Sequence, residues 1–273
     1  MLPEVTDLLR CPHCYAGLHR SDRSLRCGAG HVFDIARQGY VTLLAGAGTA
    51  LSADSAEMIA ARSRVLGSAA YAPLVTAVAA AAIGGVAVDV GAGTGHYLAA
   101  AVTMLQGRGI GLDLSKFAAR AIARSNAAVG AVVADAWQPL PVADGVADTV
   151  LSVFAPRNTE EFARVLRPGG RVLVLGPGPR HLHQLIDGLG MIGQDKDKSA
   201  RLDAQFADRF ELIDQQQLTQ TVEVDHALAV DMVMMGPSAF HTDRQAVAAR
   251  GVRLGQTLAV TVDAALRVYR LAR

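Results

Sequence analysis

All three cysteines of this chain lie before residue 28, in Cys11-Pro-His-Cys14 and Cys27-Gly-Ala-Gly-His31. The pattern C-x2-C-x12-C-x3-H brings two short turns, each with two soft donors, far enough apart to close a tetrahedron round one ion. Thiolate and imidazole together select Zn2+, with ligands at about 2.0–2.3 Å. Cys11, Cys14, Cys27 and His31 fill all four positions and leave none for water, so a structural rather than catalytic metal is expected. His13 falls inside the first turn, off the ligand spacing, and is a spare. An odd cysteine count, with no basic and then apolar leader in Met1–Asp7, argues against a disulfide framework and for a reducing cytoplasm.

A segment of about 45 residues with few large apolar side chains builds little core of its own and leans on its metal for folding. Around the knuckles stand Arg10, Arg20, Arg23, Arg26 and Arg37 against Glu4, Asp7, Asp22 and Asp34. Such near-balance makes either a solvated surface or a basic patch, depending on how the fold sorts the charges. From Leu44 to Ser52 small residues and two glycines without periodicity mark a linker. The expected organisation is a zinc-binding unit over 1–45, a linker and helix over 46–70, and a large domain over 71–273.

The whole chain has 273 residues, 51% hydrophobic and 19% charged, with 26 basic against 25 acidic side chains. That excludes a disordered tail, a collagen-like repeat and a strong global attraction for polyanions. The low-charge run Ala69–Val88 is interrupted by Pro73, Thr76 and Gly84-Gly85, so it reads as helix then strand rather than a membrane span. Helices are expected over Ser55–Gly67 and Tyr71–Ala82. Strands at Val86–Val90, Gly109–Leu114, Ala131–Ala134, Ala147–Phe154 and Arg171–Gly176 then alternate with helices at His96–Leu105 and Ser115–Asn126. Alternation of this kind predicts an α/β fold, a doubly wound, mostly parallel sheet. Leu218–Val224 and Leu258–Tyr269 alternate as long strands around helices near Ala227–Met235 and Asp243–Gly251, which suits an antiparallel tail.

The first of these strands runs into Asp89-Val-Gly91-Ala-Gly93-Thr94-Gly95-His96. Glycines so placed allow a tight turn and a close backbone approach to a ligand at the start of the next helix. The spacing is G-x-G-x-G rather than the G-x-G-x-x-G of a dinucleotide fold, and no P-loop lysine follows. Asp113 ends the second strand, where a carboxylate suits two ribose hydroxyls. Asp135 follows the third, beside Trp137, which is either an adenine neighbour or a core filler. At the carboxyl edges of three successive strands, this set resembles the class I S-adenosyl-L-methionine-dependent methyltransferases. Arg167-Pro168-Gly169-Gly170 matches that superfamily's usual turn before the fifth strand.

Cys-Pro-x-Cys, then Cys-x-x-x-His31-x-Phe33-Asp34-x-Ala36-x-x-Gly39-Tyr40-Val41-x-Leu43-Leu44, then Asp54-Ser-Ala-Glu57-Met58-x-x-Ala61-Arg62 is similar to the 23S ribosomal RNA guanine-N1 methyltransferases. The similarity continues through Tyr71-x-Pro73-Leu74, Asp113-x-Ser115-Lys116, Phe154-Ala155-Pro156-Arg157 and Pro177-Gly178-Pro179-Arg180-His181-Leu182. Arg157-Asn158 and Met235-Gly236-Pro237-Ser238 resemble the Gram-positive branch that includes a tylosin-resistance enzyme. The resemblance implies zinc on Cys11, Cys14, Cys27 and His31, and a 23S rRNA hairpin near the macrolide site of the exit tunnel as substrate. It also implies cofactor contacts at Tyr71, Gly93, Thr94 and His181, and a homodimer. Read locally, Tyr71 could instead staple its helix and His181 cap the next one.

Guanine N1 carries a proton at neutral pH, so a methyl acceptor there needs either a base or a donor that stabilises the enolate at O6. Phe154-Ala155-Pro156-Arg157 stands where amino-directed methyltransferases carry an Asn/Asp-Pro-Pro-Tyr clamp, and Arg157 is the candidate donor to O6 or to a phosphate. Two other readings stand beside this one: a small-molecule methyltransferase, which leaves the knuckle without a task, and a non-catalytic zinc-dependent RNA-binding factor, which leaves the glycine loop without one.

Overall fold

A computed structural model describes residues 2–46, 53–192, 198–252 and 256–272. Part of the expected linker, residues 47–52, lies outside them. Six parallel strands form the centre of the molecule: β4 (Tyr40–Thr42), β5 (Val86–Val90), β6 (Arg108–Asp113), β7 (Val129–Val133), β8 (Ala147–Val153) and β9 (Leu166–Pro177). The antiparallel pair β10 (Phe210–Asp225) and β11 (Thr257–Leu271) completes an eight-stranded sheet in the order β10-β11-β9-β8-β5-β6-β7-β4. From β5 the chain winds outward through β6 to β7, then crosses back to β8. Strand order therefore reverses at the carboxyl end of β5, where open α/β sheets bind ligands.

One face of the sheet is covered by α1 (Ala56–Leu66), α2 (Ala72–Ala81), α3 (His96–Leu105), α4 (Lys116–Ser125), α6 (His183–Leu189), α8 (His226–Met234) and α9 (Arg244–Gly251). Both expected amino-terminal helices form, and Ser55 caps α1 by accepting from Met58 N–H at 3.2 Å. Ser115 caps α4 in the same way, through Phe117 and Ala118. The other face carries α5 (Thr159–Val165), α7 (Lys198–Ala207) and most of the amino-terminal segment.

That segment is not set apart from the large domain. After the 3-10 turn Leu2–Leu8, a three-stranded ribbon of β1 (Leu18–Ser21), β2 (Ser24–Cys27) and β3 (Val32–Asp34) leads into β4, which pairs in parallel with β7 as Tyr40–Ala131, Val41–Val132 and Thr42–Val133. The sheet thus extends across the boundary expected at residue 45. The segment's few apolar side chains, Leu2, Val5, Leu8, Leu9, Leu18 and Leu25 among them, share a core with Val88, Val132, Leu140 and Val142. Gly130 explains how they come so close, because a Cβ there would collide with Val5. The β7–β8 crossover has no helix. Its residues bond to the amino-terminal segment instead, Arg10 N–H to Pro141 O (3.2 Å) and Ala143 N–H to Leu8 O (2.8 Å), so ribbon and turn fill the seat that a crossover helix takes in a doubly wound fold.

Several elements outrun their sequence signals. The fifth strand begins at Leu166, and Arg167-Pro168-Gly169-Gly170 is not a turn before it but a bulge inside it. Partners jump from Ala147–Leu166 to Thr149–Arg171, and Gly169 takes φ +83°. Strands β10 and β11 pair over their whole lengths, and the exposed, polar first half of β10 carries no apolar alternation, which is why only Leu218–Val224 reads as a strand.

A methyltransferase site and a metal cluster on one sheet

Cys11 and Cys14 sit in a tight turn closed by Cys11 N–H to Ala16 O (2.8 Å) and Tyr15 N–H to Cys11 O (2.9 Å). Cys27 ends β2, and the turn to His31 closes through Gly30 N–H to Cys27 O (3.0 Å), with Gly30 at φ +88°. The four donor atoms lie within 4.8 Å of one another. Cys11 Sγ to His31 Nδ1 is 3.5 Å, Cys27 Sγ to His31 Nδ1 is 3.4 Å, and Cys14 Sγ to Cys27 Sγ is 3.6 Å. A tetrahedral zinc with bonds of about 2.0–2.3 Å spaces its ligands about 3.5–3.8 Å apart, so the residues fit the ion. Burial opposes ionisation of Cys27, yet hydrogen bonds from His31, Cys14 and nearby backbone bring its thiol down to about 6. His13 is no idle spare: its ring stacks 5.8 Å from Phe33 and lies 5.0 Å from His31, packing the ligand from outside.

At the carboxyl end of β5 the backbone turns through Gly91, Gly93 and Gly95, all at positive φ. A Cβ on Gly91 would lie 2.7 Å from Ala155 Cβ, and one on Gly95 would lie 2.9 Å from Ser125 Oγ. Asp113 holds the loop and the following turn together, accepting from Gly93 N–H and Ser115 N–H at 2.8 Å each. Burial raises its carboxyl to about 6, aided by Asp54 and resisted by those N–H groups and Arg62. Asp89, under the loop, is 1% exposed and its Oδ1 has no hydrogen-bond partner among the described residues. Burial, and then the charge of Asp113, push it up to about 8.

Beside Asp89 lies an aromatic group that motif reading found only in part. Tyr71 and His181, 110 residues apart, meet with Tyr71 OH 3.3 Å from His181 Nε2. Asp263 N–H donates to His181 Nδ1 at 3.2 Å, so the ring proton sits on Nε2 and points at the phenol oxygen. Burial lowers the imidazole to about 4, outweighing Asp263, and the ring is neutral. Tyr97, on α3, was missed because it falls outside every motif; its buried OH is unpartnered among the described residues, and its ionisation is suppressed by burial and by the neighbouring Tyr71 and Asp89. Phe154 closes the group from the open side, 41% exposed, its ring 5.5 Å from that of His181. Its backbone is held at φ +52°, a costly conformation for a bulky residue and of the kind found at functional sites.

Thr94 and His96 stand elsewhere. Thr94 Oγ1 and His96 Nδ1 bond to each other at 2.8 Å and line a separate cleft of about 280 Å³ between α1, α3 and α4, shared with Ser63 and Arg124 but not with Asp89 or Asp113. Asp135 is buried and occupied by Trp137 N–H at 2.9 Å. Trp137 itself is 54% exposed and so not a core filler. Arg157 lies near the carboxyl end of β9, beside Gly176, half-buried, with its Nε unpartnered among the described residues. Burial lowers it, Tyr269 raises it and Arg267 lowers it further.

A glycine loop over a buried carboxyl, at the switch point of a mostly parallel sheet with an antiparallel tail, defines a class I S-adenosylmethionine-type methyltransferase, here carrying a Cys3His ribbon. Family models agree: RlmA amino-terminal zinc ribbon over residues 9–45 and methyltransferase domain over 87–170. A Streptomyces fradiae protein named 23S rRNA (guanine(748)-N(1))-methyltransferase is 44% identical over 99% of both chains, and a Micromonospora griseorubida relative named for 23S rRNA guanine-N(1) methylation is 41% identical over 99% of both. The chain belongs to the 23S rRNA (guanine-N1)-methyltransferase family. Among solved structures, the complex of the Haloferax volcanii Trm112 methyltransferase activator with a methyltransferase shares the fold, at TM-score 0.51 and 22% identity over 82% of this chain and 100% of that one. No described helix is long and apolar enough to cross a membrane.

Proposed function

We propose that this protein methylates N1 of a guanine in a 23S rRNA hairpin loop, with S-adenosyl-L-methionine as donor and zinc as a structural ion. The observation that carries the reading is Asp89: a buried carboxyl beneath a glycine loop, its Oδ1 without a partner among the described residues, is costly unless a cationic or hydrogen-bonding ligand arrives. In this reading Asp89, Gly91, Gly93, Gly95 and Asp113 form the cofactor seat, with Tyr71, Tyr97 and His181 walling its inner end and Asp135 and Trp137 its outer one. Thr94 and His96 support the loop from behind, in the separate cleft. The relatives' names support guanine N1, and that of the Streptomyces fradiae protein supports position 748.

When bound, the cofactor supplies an activated methyl group. The chain's own task is to hold the base in line with it and to manage one proton, and orientation alone supplies several kcal/mol. Phe154, exposed and strained at the mouth, offers a face on which an unstacked base lies. Arg157, three positions on and without an ion pair among the described residues, is suited to the enolate O6 that develops as N1 loses its proton, or to a flanking phosphate. Neutral His181 donates from Nε2 to Tyr71 and so orients the phenol O–H toward the seat. A homodimer, an exit-tunnel target near the macrolide site and action in the cytoplasm belong to the same reading.

The test offers labelled S-adenosylmethionine and unmodified 23S rRNA, then maps the product by reverse transcription. Methylation at N1 blocks pairing and stops the transcriptase at one guanine. Label without a stop refutes the N1 assignment, and absence of label on RNA refutes an RNA substrate.

A further inference from the structure

Helix α4 is built against its own electrostatics. Lys116 occupies its first position, Arg120 follows one turn later and Arg124 two turns later, all on one face, and the first turn contains no acidic residue. Cations at a helix amino terminus oppose the macrodipole, and like charges at i,i+4 repel. Lys116 Nζ and the Arg120 guanidinium also share one ring, at 5.5 and 5.4 Å from the Phe117 centroid. None of the three forms an ion pair among the described residues, although eleven arginines elsewhere do. The buried Nε of Arg120 also has no partner among the described residues. The carboxylate that approaches the helix start, Asp54, is taken by Arg62 at 2.6 Å.

The ridge has a direction. It starts at the residue after Ser115, three positions from Asp113 at the cofactor seat, and runs down α4 to the amino-terminal segment. There the loop before β4 touches it, since a Cβ on Gly39 would lie 3.7 Å from Ala123 Cβ. That loop adds Arg37, exposed and also without an ion pair among the described residues. Successive cations on α4 are about 6 Å apart along the axis, comparable with neighbouring phosphates of an extended strand.

Resting on the RNA reading above, we propose that Lys116, Arg120, Arg124 and Arg37 form the track for the ribose–phosphate backbone on one side of the methylated loop, leading it from the cofactor seat to the ribbon. Phosphates there remove the repulsion that the unliganded helix carries. Phe117 holds the two upper cations in place, so they meet the strand already ordered.

The test compares the full-length protein with Lys116→Gln/Arg120→Gln/Arg124→Gln and, to guard against misfolding of α4, with the exposed pair Lys116→Gln/Arg124→Gln. Affinity for the hairpin and for S-adenosylmethionine are measured separately across a salt series. The triple variant is expected to lose at least tenfold in RNA affinity, with its salt slope lower by about 2 and cofactor affinity unchanged. Charge-retaining Lys116→Arg/Arg124→Lys should stay close to the parent. Unchanged RNA affinity and slope in both glutamine variants, while the parent binds and methylates, overturns the track. Binding of anionic lipid vesicles in preference to the hairpin overturns it too. A parent protein that neither binds nor methylates the hairpin instead refutes the function on which the track rests.

Discussion

Cofactor binding to the free protein should expel about one proton at pH 7, and Asp89 is the reason. Its carboxyl is held at about 8 by burial and by Asp113, and Asp113 stands at about 6. An α-ammonium seated on the orphaned Oδ1 requires the ionised form. At pH 7 only about one Asp89 in ten is ionised, which weakens observed binding about tenfold, or about 1.4 kcal/mol. Binding then releases about 0.9 proton from Asp89 and about 0.1 from Asp113, less about 0.1 taken up by an α-amine of pKa near 7.7–8.0. At pH 6 the two carboxyls together release about 1.5. Isothermal calorimetry in buffers of different ionisation enthalpy counts these protons directly. Asp89→Asn should bind more weakly and release close to none at pH 7. Heats independent of buffer in the parent, or the same count in Asp89→Asn, would show that Asp89 does not meet the ammonium.

Further outcomes follow from other parts of the molecule. Because the ribbon shares its core with the central sheet, Cys27→Ser or chelation should lower the single melting transition by about 10 °C or more, consistent with loss of several kcal/mol; a ribbon that melts alone while the rest stays folded contradicts a shared core. Phe154→Gly removes the left-handed strain at φ +52° together with the ring. It should leave the melting temperature level or higher while kcat/KM for RNA falls at least tenfold, and a variant with full activity would deny Phe154 a place at the base. Asp231 is buried, a setting that raises a carboxyl, but Arg64 and Arg244 outweigh this and hold it low. Its stabilisation is present above the unfolded value of about 3.9 and is lost as pH falls through the lower folded value, so Asp231→Ala should cost about 1–2 kcal/mol at pH 7 and little at pH 2 by denaturant unfolding; equal loss at both would assign the effect to packing. Gly84→Ala forces a Cβ into Asp148 at φ +73° and should destabilise by at least about 3 kcal/mol.

Local chemistry explains what could be read from the chain alone. The knuckles are legible because ligand spacing is a property of two short turns, and the glycine loop because its backbone leaves little room for side chains. Pairings at long range are another matter. Tyr71 and His181 meet only after the sheet has formed, and Tyr97 carries no signature beyond its place on α3. Strand β4 reads as three ordinary residues before a linker, and nothing in Tyr40-Val41-Thr42 announces a parallel partner some ninety positions on. The bulge at Arg167–Gly170 mimics a turn because both need glycine at positive φ. Thr94 and His96 lie inside the motif, yet the helical turn carries their side chains round to the far side of the loop.

The pairing of β4 with β7 also sets an order for synthesis. The ribbon emerges from the ribosome first and can take up its metal early, but Val41 and Leu43 stay uncovered until residue 133 has followed. Until then the nascent chain presents one unpaired strand, and a fragment begun at residue 71 would present the opposite one, the fully buried Val129–Val133. Shortening the chain from its amino end is therefore expected to yield an aggregating sheet rather than a smaller enzyme, and a soluble catalytic fragment should be sought by supplying residues 1–46 in trans.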